Sequence, residues 1–154
     1  MKMDEEIKIQ LLKDEYLHLQ NVIEGFDGKA ITIKAWSISF SLAALAGAFA
    51  SHSPLVLLLA SLSTILFWLI EGYWKTFQYA YYDRTGKIEK YFEGDSNNIV
   101  PLQIGSSWYK RWKAGGRKRI TRIMLWPHVA LPHAIVFIIG IVLYIMTTLK
   151  IITL

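Results

Sequence analysis

Residues 31–50 read ITIKAWSISFSLAALAGAFA, a stretch of twenty residues whose only charged side chain is Lys34. At about 1.5 Å per helical residue, this stretch is long enough to cross a hydrocarbon core of about 30 Å. Residues 54–70 (PLVLLLASLSTILFWLI) and 127–149 (PHVALPHAIVFIIGIVLYIMTTL) contain no Lys, Arg, Asp or Glu. The three stretches together predict an all-α membrane protein with three transmembrane helices.

The connection between the first two stretches is SHSP at residues 51–54. So short a connection predicts a helix hairpin, and Pro54 suits the first turn of the second helix, where its missing N–H removes no helical hydrogen bond. Lys34 and Glu71 are equally far from the middle of this connection. We therefore expect them at one depth near the cytoplasmic face, where pairing lowers the cost of each charge. Two alternatives remain: the charges reach the headgroups separately, or Glu71 pairs with Lys75 one turn on.

Composition supports the membrane assignment. Of 154 residues, 53% are hydrophobic, which is more than an ordinary soluble domain contains. The first apolar stretch follows about thirty charged and amphipathic residues, unlike a cleaved signal peptide, so we expect the N-terminus to stay on the protein. There is no cysteine, which excludes disulfides, thiolate metal sites and cysteine catalysis.

Charge distribution predicts the orientation. Residues 1–34 contain five Lys and seven acidic residues, whereas residues 75–127 contain eleven Lys or Arg and four acidic residues. Basic residues near membrane ends favour the cytoplasmic side. We expect an inner-membrane protein with its N-terminus inside, the SHSP turn outside and the C-terminus outside.

Residues 1–30 predict an amphipathic cytoplasmic helix, interrupted near Gly25 and Gly28. Its apolar residues recur at helical spacing: Ile7, Leu11, Leu12, Tyr16, Leu19, Val22, Ile23 and Phe26. Such a helix lies along the membrane or packs against another cytoplasmic helix. The transmembrane hairpin follows at residues 31–74, and the second helix is expected to continue into the cytoplasm to about residue 92, where EGDSNN favours a turn.

The first predicted span is rich in small residues: Ser37, Ser39, Ser41, Ala43, Ala44, Gly47 and Ala48. Small residues let helices approach closely in lipid. They serve packing inside the hairpin, packing between subunits, or the lining of a pore by serine hydroxyls.

Residues 75–126 form a basic cytoplasmic segment ahead of the third span at 127–149. Its later part carries the candidate phosphate- or lipid-binding residues Lys110, Arg111, Lys113, Arg117, Lys118, Arg119 and Arg122. The candidate interfacial aromatic residues are Trp36, Trp68, Trp74, Trp108, Trp112 and Trp126. The basic residues either anchor the third span to anionic lipid or bind a phosphate-bearing ligand such as a nucleotide.

No set of residues typical of catalysis is evident, since the chain lacks GxSxG and HExxH patterns and has one carboxylate, Glu71, near the bilayer. His128 and His133 lie five residues apart beside Pro127 and Pro132, a poor spacing for metal binding on one helix face. We expect neither an enzyme nor a metal or cofactor site.

The stretches HLQNVIEGFDGKAITIKAWSISFSLAALAGAFA and LSTILFWLIEGYWKTFQYAYYDRTGKIE resemble a group of small bacterial membrane proteins. The matching positions are Leu19, Gln20, Ile23, Lys34, Trp36, Phe67, Trp68, Glu71 and Tyr73. In that group the acidic residue is followed by two aromatic residues, so Gly72 departs from the pattern. The resemblance implies a membrane component of a bacterial conflict or phage-defence locus, with membrane permeabilisation as its expected activity.

Two functions are compatible with these patterns. The first is a homo-oligomeric inner-membrane channel or membrane-disrupting effector, triggered from the cytoplasm by a protein or nucleotide, with Lys34 and Glu71 at its mouth or gate. The second is a membrane anchor or scaffold that recruits a cytoplasmic partner through the N-terminal helix and the 75–92 extension.

Overall fold

A computed structural model describes residues 4–95 and 98–153, apart from the side chains at positions 116 and 117. These residues form four helices: α1 (Glu5–Ser51), α2 (Pro54–Phe92), α3 (Ile104–Met124) and α4 (Pro127–Thr148). The prediction of an all-helical chain is confirmed. Within the described residues, α1, α2 and α4 are the helices long and apolar enough to cross a membrane, in agreement with the three predicted spans.

Helix α1 is continuous over 47 residues, so the predicted interruption near Gly25 and Gly28 is wrong. Each glycine costs a helix about 1 kcal/mol relative to alanine, but neither prevents helical hydrogen bonding. Packing before the glycines and the apolar stretch after them keep the helix intact. Helix α2, by contrast, ends at Phe92 as expected, and Gly94 adopts the left-handed conformation (φ 88°) that ends many helices.

The hairpin turn is shorter than the four residues of SHSP, since only His52 and Ser53 separate α1 from α2. His52 has φ 49°, and its N–H donates to the carbonyl of Phe49 at 3.4 Å. The N–H of Ser53 donates to the carbonyl of Ala48 at 3.2 Å. This pair of bonds is the Schellman arrangement, and it satisfies carbonyls that the end of α1 would otherwise leave open.

The chain divides into two compact units, each built from separate stretches of sequence. The polar unit comprises Met1–Gly28 and Trp74–Ile120, and the apolar unit comprises Lys29–Tyr73 and Thr121–Leu154. The polar unit thus contains the first part of α1, the second part of α2 and most of α3. The apolar unit contains the remaining parts of α1 and α2, the end of α3 and all of α4.

The polar unit has a core of Leu12, Leu19, Ile88 and Ile99, with three tyrosines and Ile104 packed around it. Leu12 and Leu19 belong to the apolar face expected for the N-terminal helix. That face is used for packing against α2 inside this unit, one of the two roles considered for it. The carbonyl of Ile23 also accepts a hydrogen bond from Gln78 Nε2 at 2.9 Å.

The basic stretch after residue 103 is helical, which the sequence patterns did not indicate. Its helix, α3, is joined to the core by aromatic residues. Trp108 Nε1 donates to the carbonyl of Phe77 at 3.0 Å, and the Trp108 and Trp112 rings stack with centroids 5.7 Å apart. The indoles therefore hold one face of α3 against α2.

Candidate functional site

Lys34 and Glu71 form an ion pair in the apolar unit, so the structure brings together the two residues that the hairpin symmetry paired. Lys34 Nζ, on α1, donates a hydrogen bond to Oε1 of Glu71, on α2. The Glu71 side chain is fully buried, whereas 21% of the Lys34 side chain is exposed. The alternative partner, Lys75, instead donates to Asp27 and, at 2.8 Å, to Gln78 within the polar unit.

A third helix completes this site, because His133 of α4 contacts the other carboxylate oxygen. His133 Nε2 lies 2.9 Å from Glu71 Oε2, and His133 Nδ1 lies 3.2 Å from the Ser37 hydroxyl oxygen. His133 and Ser37 are both 1% exposed. Lys34, Ser37, Glu71 and His133 therefore form one hydrogen-bonded cluster, which we call the buried network.

The chemistry of these groups lets the buried network keep its hydrogen bonds with His133 neutral or charged. An ionised Glu71 only accepts hydrogen bonds, so His133 Nε2 must carry a proton. With a neutral ring, Nδ1 accepts from the Ser37 hydroxyl; with a charged ring, Nδ1 donates to the same hydroxyl. The four side chains therefore have matching hydrogen-bond donors and acceptors.

The residues beside Glu71 position α2 against the corner between α3 and α4. Trp68 Nε1 donates to the carbonyl of Met124 at 2.9 Å. One turn further on, a Cβ placed on Gly72 would lie 2.5 Å from Met124 Cγ. Gly72 thus makes room for Met124, which a larger side chain would displace.

A small cavity of about 100 Å³ lies among α1, α2 and α4 within the apolar unit. Ser41, Ser61 and Gly140 line it together with aliphatic side chains. The Ser41 hydroxyl donates to the carbonyl of Ser37 at 2.7 Å, so the cavity begins one helical turn from the buried network. It has room for a few water molecules.

A second buried carboxylate, Glu15, lies in the polar unit. Arg84 donates to both of its oxygens, through Nε and Nη2, each at 2.8 Å. The backbone N–H of Leu102 also donates to Glu15 at 2.8 Å, and Arg84 Nη2 donates to the carbonyl of Val100 at 2.7 Å. This clamp ties the segment before α3 to α1 and α2, and it holds Leu102 at φ 61°.

The predicted basic residues occupy different settings on α3. Arg111 and Arg119 both lie against the ring of Tyr79, and Lys113 lies 6.0 Å from the ring centre of Tyr109. The remaining described basic residues, Lys110, Lys118 and Arg122, are exposed. The side chain of Arg117 lies outside the described residues.

The predicted interfacial tryptophans also differ in setting. Trp36 is 59% exposed in the apolar unit, whereas Trp74 packs on Phe26 in the polar unit with ring centroids 4.8 Å apart. Trp126 is the N-cap residue of α4, and its ring lies 5.4 Å from that of His128. Trp36 therefore lies on the surface of the apolar unit, whereas Trp74 packs inside the polar unit, and the interfacial role stays a prediction.

Sequence reasoning missed His133, Ser37, Glu15 and Arg84. His133 was considered only with His128 as a metal-binding pair. Among the described residues there is no group of three or more His, Cys, Asp or Glu side chains that could hold a metal ion. A helical spacing argument was available for Glu15, since it lies on the same face as Leu12 and Leu19, and an acidic residue there requires a buried partner.

No protein-family model, curated protein or solved structure matches the chain.

Proposed function

We propose that this chain is a membrane-spanning protein that self-associates and conducts ions when triggered from the cytoplasm, with the buried network as its gate. The observation that supports this proposal is the fully buried Glu71, bonded to Lys34 and His133 on two other helical segments of the apolar unit. Ionisable side chains inside a membrane domain are costly to bury and are typical of ion pathways and gates.

A static role alone would not require this chemistry. A buried ion pair is seldom more stable than apolar side chains of the same volume, so it is weak support for a purely stabilising function. Lys and His can also exchange partners or protons, which suits a switch. In the proposed closed state, Glu71 joins α1, α2 and α4; on opening, it releases Lys34 or His133.

Conduction involves several chains in this proposal, because most of the apolar surface of α1 and α4 lies on the outside of the single chain. In the most apolar 18-residue stretch of α1, only 11% is buried within the chain, and the same is true of α4. The remaining surface is free for lipid or for further copies.

The small residues of α1 divide between two helix faces, which bears on how copies would associate. Ser37 and Ala48 are buried inside the apolar unit. Ser39, Ala43 and Gly47 are exposed, four residues apart along the opposite side of the helix. This exposed stripe has the small-xxx-small spacing that allows close helix contact in lipid. It supports the subunit-packing role, while the inward residues serve packing inside the hairpin.

We infer the orientation from the distribution of charge along the chain, and the trigger from the family resemblance. The excess of basic residues at 75–127 favours a cytoplasmic position for the polar unit, with the amphipathic start of α1 and the end of α2 as its cytoplasmic helices. The resemblance to membrane components of bacterial conflict loci adds an inner-membrane, antiviral role in which a cytoplasmic protein or nucleotide starts permeabilisation.

The first test is a Gly47→Leu variant, which would place a large side chain on the exposed stripe. We expect detergent-extracted wild-type particles to contain several copies, and particles of the variant to contain fewer. Gly25→Leu is the matched control, because Gly25 lies on the same helix with no atom near its missing Cβ and outside the apolar stretch. It should behave as wild type.

The second test addresses the gate. Glu71→Gln removes the charge that holds Lys34, so we expect conductance without a trigger, whereas Asp83→Asn, a surface change on the same helix, should leave conductance closed. Monomeric wild-type particles, or bilayers that stay silent with both Glu71→Gln and wild type, would refute the proposal. A stoichiometric foreign protein in the purified particles would instead favour the scaffold function.

A further inference from the structure

Two arginines of α3 lie against one tyrosine of α2 in the polar unit. The guanidinium carbons of Arg111 and Arg119 are 5.3 Å and 5.4 Å from the centre of the Tyr79 ring. Arg111 Nη2 also donates to the Tyr79 hydroxyl at 3.3 Å. One aromatic ring thus holds two like charges in a single neighbourhood.

The charge at this place is not neutralised within the described part of the chain. Helix α3 contains seven Lys or Arg residues and no Asp or Glu. Among the described residues, neither Arg111 nor Arg119 takes part in an ion pair, whereas Arg84 in the same unit is paired with Glu15. Burial, together with the nearby charge of Arg111, lowers the pKa of Arg119. An anion would relieve both effects.

The guanidinium of Arg119 also has one hydrogen-bond donor without a partner, and it lies unusually close to Gly115. Its Nη1 is buried and has no hydrogen-bond partner. A Cβ placed on Gly115 would lie 2.0 Å from Arg119 Cζ, so the side chain folds back over the helix into space that any other residue would fill. Gly115 therefore leaves open the space that the guanidinium of Arg119 occupies beside Tyr79.

We propose that Arg111 and Arg119, held by Tyr79 and Gly115, bind one phosphate group. A guanidinium donates two parallel hydrogen bonds, and the terminal oxygens of a phosphate can accept from two such groups at once. A phosphate has more terminal oxygens than a carboxylate, so it can offer separate oxygens to each of two guanidinium groups. The phosphate belongs either to a lipid headgroup or to a soluble molecule.

The proposal is independent of ion conduction, because its test measures binding to the full-length protein in neutral detergent. Isothermal titration calorimetry with inorganic phosphate tests for a soluble ligand. Short-chain phosphatidic acid in the same micelles tests for a lipid headgroup, with short-chain phosphatidylcholine as the reference. Binding of inorganic phosphate points to a soluble source, and binding of phosphatidic acid alone points to a headgroup; either supports the site.

Three variants test the geometry. Arg111→Gln and Arg119→Gln should each weaken binding by about tenfold or more, since each removes charge-assisted hydrogen bonds. Gly115→Ala should weaken it similarly without changing the net charge, because the new methyl group displaces the Arg119 guanidinium. Alanine is also the better helix former, so this variant should remain folded.

The matched control is Lys90→Gln, which removes one positive charge from an exposed position of the same unit. Its effect should be less than about twofold, as expected for a distant surface charge. The site is overturned if wild type binds neither phosphate nor phosphatidic acid. It is equally overturned if Lys90→Gln weakens binding as much as Arg119→Gln, or if Gly115→Ala has no effect.

Discussion

Each unit of this protein buries one carboxylate completely, and the two carboxylates have partners of different kinds. In the polar unit, Glu15 is held by Arg84 and by a backbone N–H. In the apolar unit, Glu71 is held by Lys34 and His133. Arginine does not lose its proton in proteins, whereas lysine and histidine can.

This difference separates a fixed clamp from an adjustable contact. The Arg84 guanidinium is a planar partner that bonds both oxygens of Glu15, and a backbone N–H adds a third bond. Lys34, the cationic partner of Glu71, has a flexible side chain that is 21% exposed. Equal burial of two carboxylates therefore does not imply equal roles.

The largest effect is expected from Arg84→Met in the polar unit. This substitution leaves Glu15 buried without a charge partner, which should lower the free energy of unfolding by about 3–5 kcal/mol. Thermal unfolding of the purified protein in detergent measures the loss. Lys87→Met is the control, because Lys87 pairs with Asp83 at the surface and its loss should cost about 0–1 kcal/mol. Equal losses for the two variants would contradict the clamp.

A smaller effect is expected from His133→Leu in the apolar unit. Glu71 keeps its bond to Lys34, but Glu71 and the Ser37 hydroxyl each lose one hydrogen-bond partner. We expect the free energy of unfolding to fall by about 1–3 kcal/mol, again measured by thermal unfolding in detergent. His128→Leu, which changes an exposed histidine of the same helix, should cost less than about 0.5 kcal/mol. A loss for His133→Leu as large as that for Arg84→Met would contradict this order of effects.

The smallest effect concerns an exposed carboxylate, Glu5, at the start of α1. A hydrogen bond from the Tyr91 hydroxyl lowers the pKa of Glu5 below its ordinary value of 4.5. This bond therefore adds stability above about pH 4.5, and the addition disappears as the pH falls through the lowered pKa. Tyr91→Phe should be slightly less stable than wild type at about pH 7, and the difference should shrink at about pH 3. A difference that grows in acid would contradict this sign.

The positions of the apolar helices were predictable because hydropathy is a local property. A run of about twenty apolar residues indicates a helix of membrane-spanning length whatever its neighbours are. The Lys34–Glu71 contact was predictable for a related reason. A tight turn fixes how the two helices of a hairpin align, so residues equally far from the turn lie side by side.

The missed features depend on packing between distant stretches of sequence. His133 is 62 residues from Glu71, and Arg84 is 69 residues from Glu15. No periodicity within one helix shows which face of another helix will meet it. The continuity of α1 was missed for a different reason, since glycine weakens a helix without ending it and the packing of the polar unit offsets that cost.

By itself, the sequence determined the helical class, the three apolar stretches, the hairpin and the excess of basic residues on α3, all of which follow from composition and short-range order along the chain. Tertiary structure alone decided that α4 brings His133 to the free oxygen of Glu71, that Arg84 clamps Glu15, and that Gly115 leaves room for Arg119 beside Arg111. The physical reason is that a buried charge needs a partner, but only the packing of the helices determines which residue is near enough to serve.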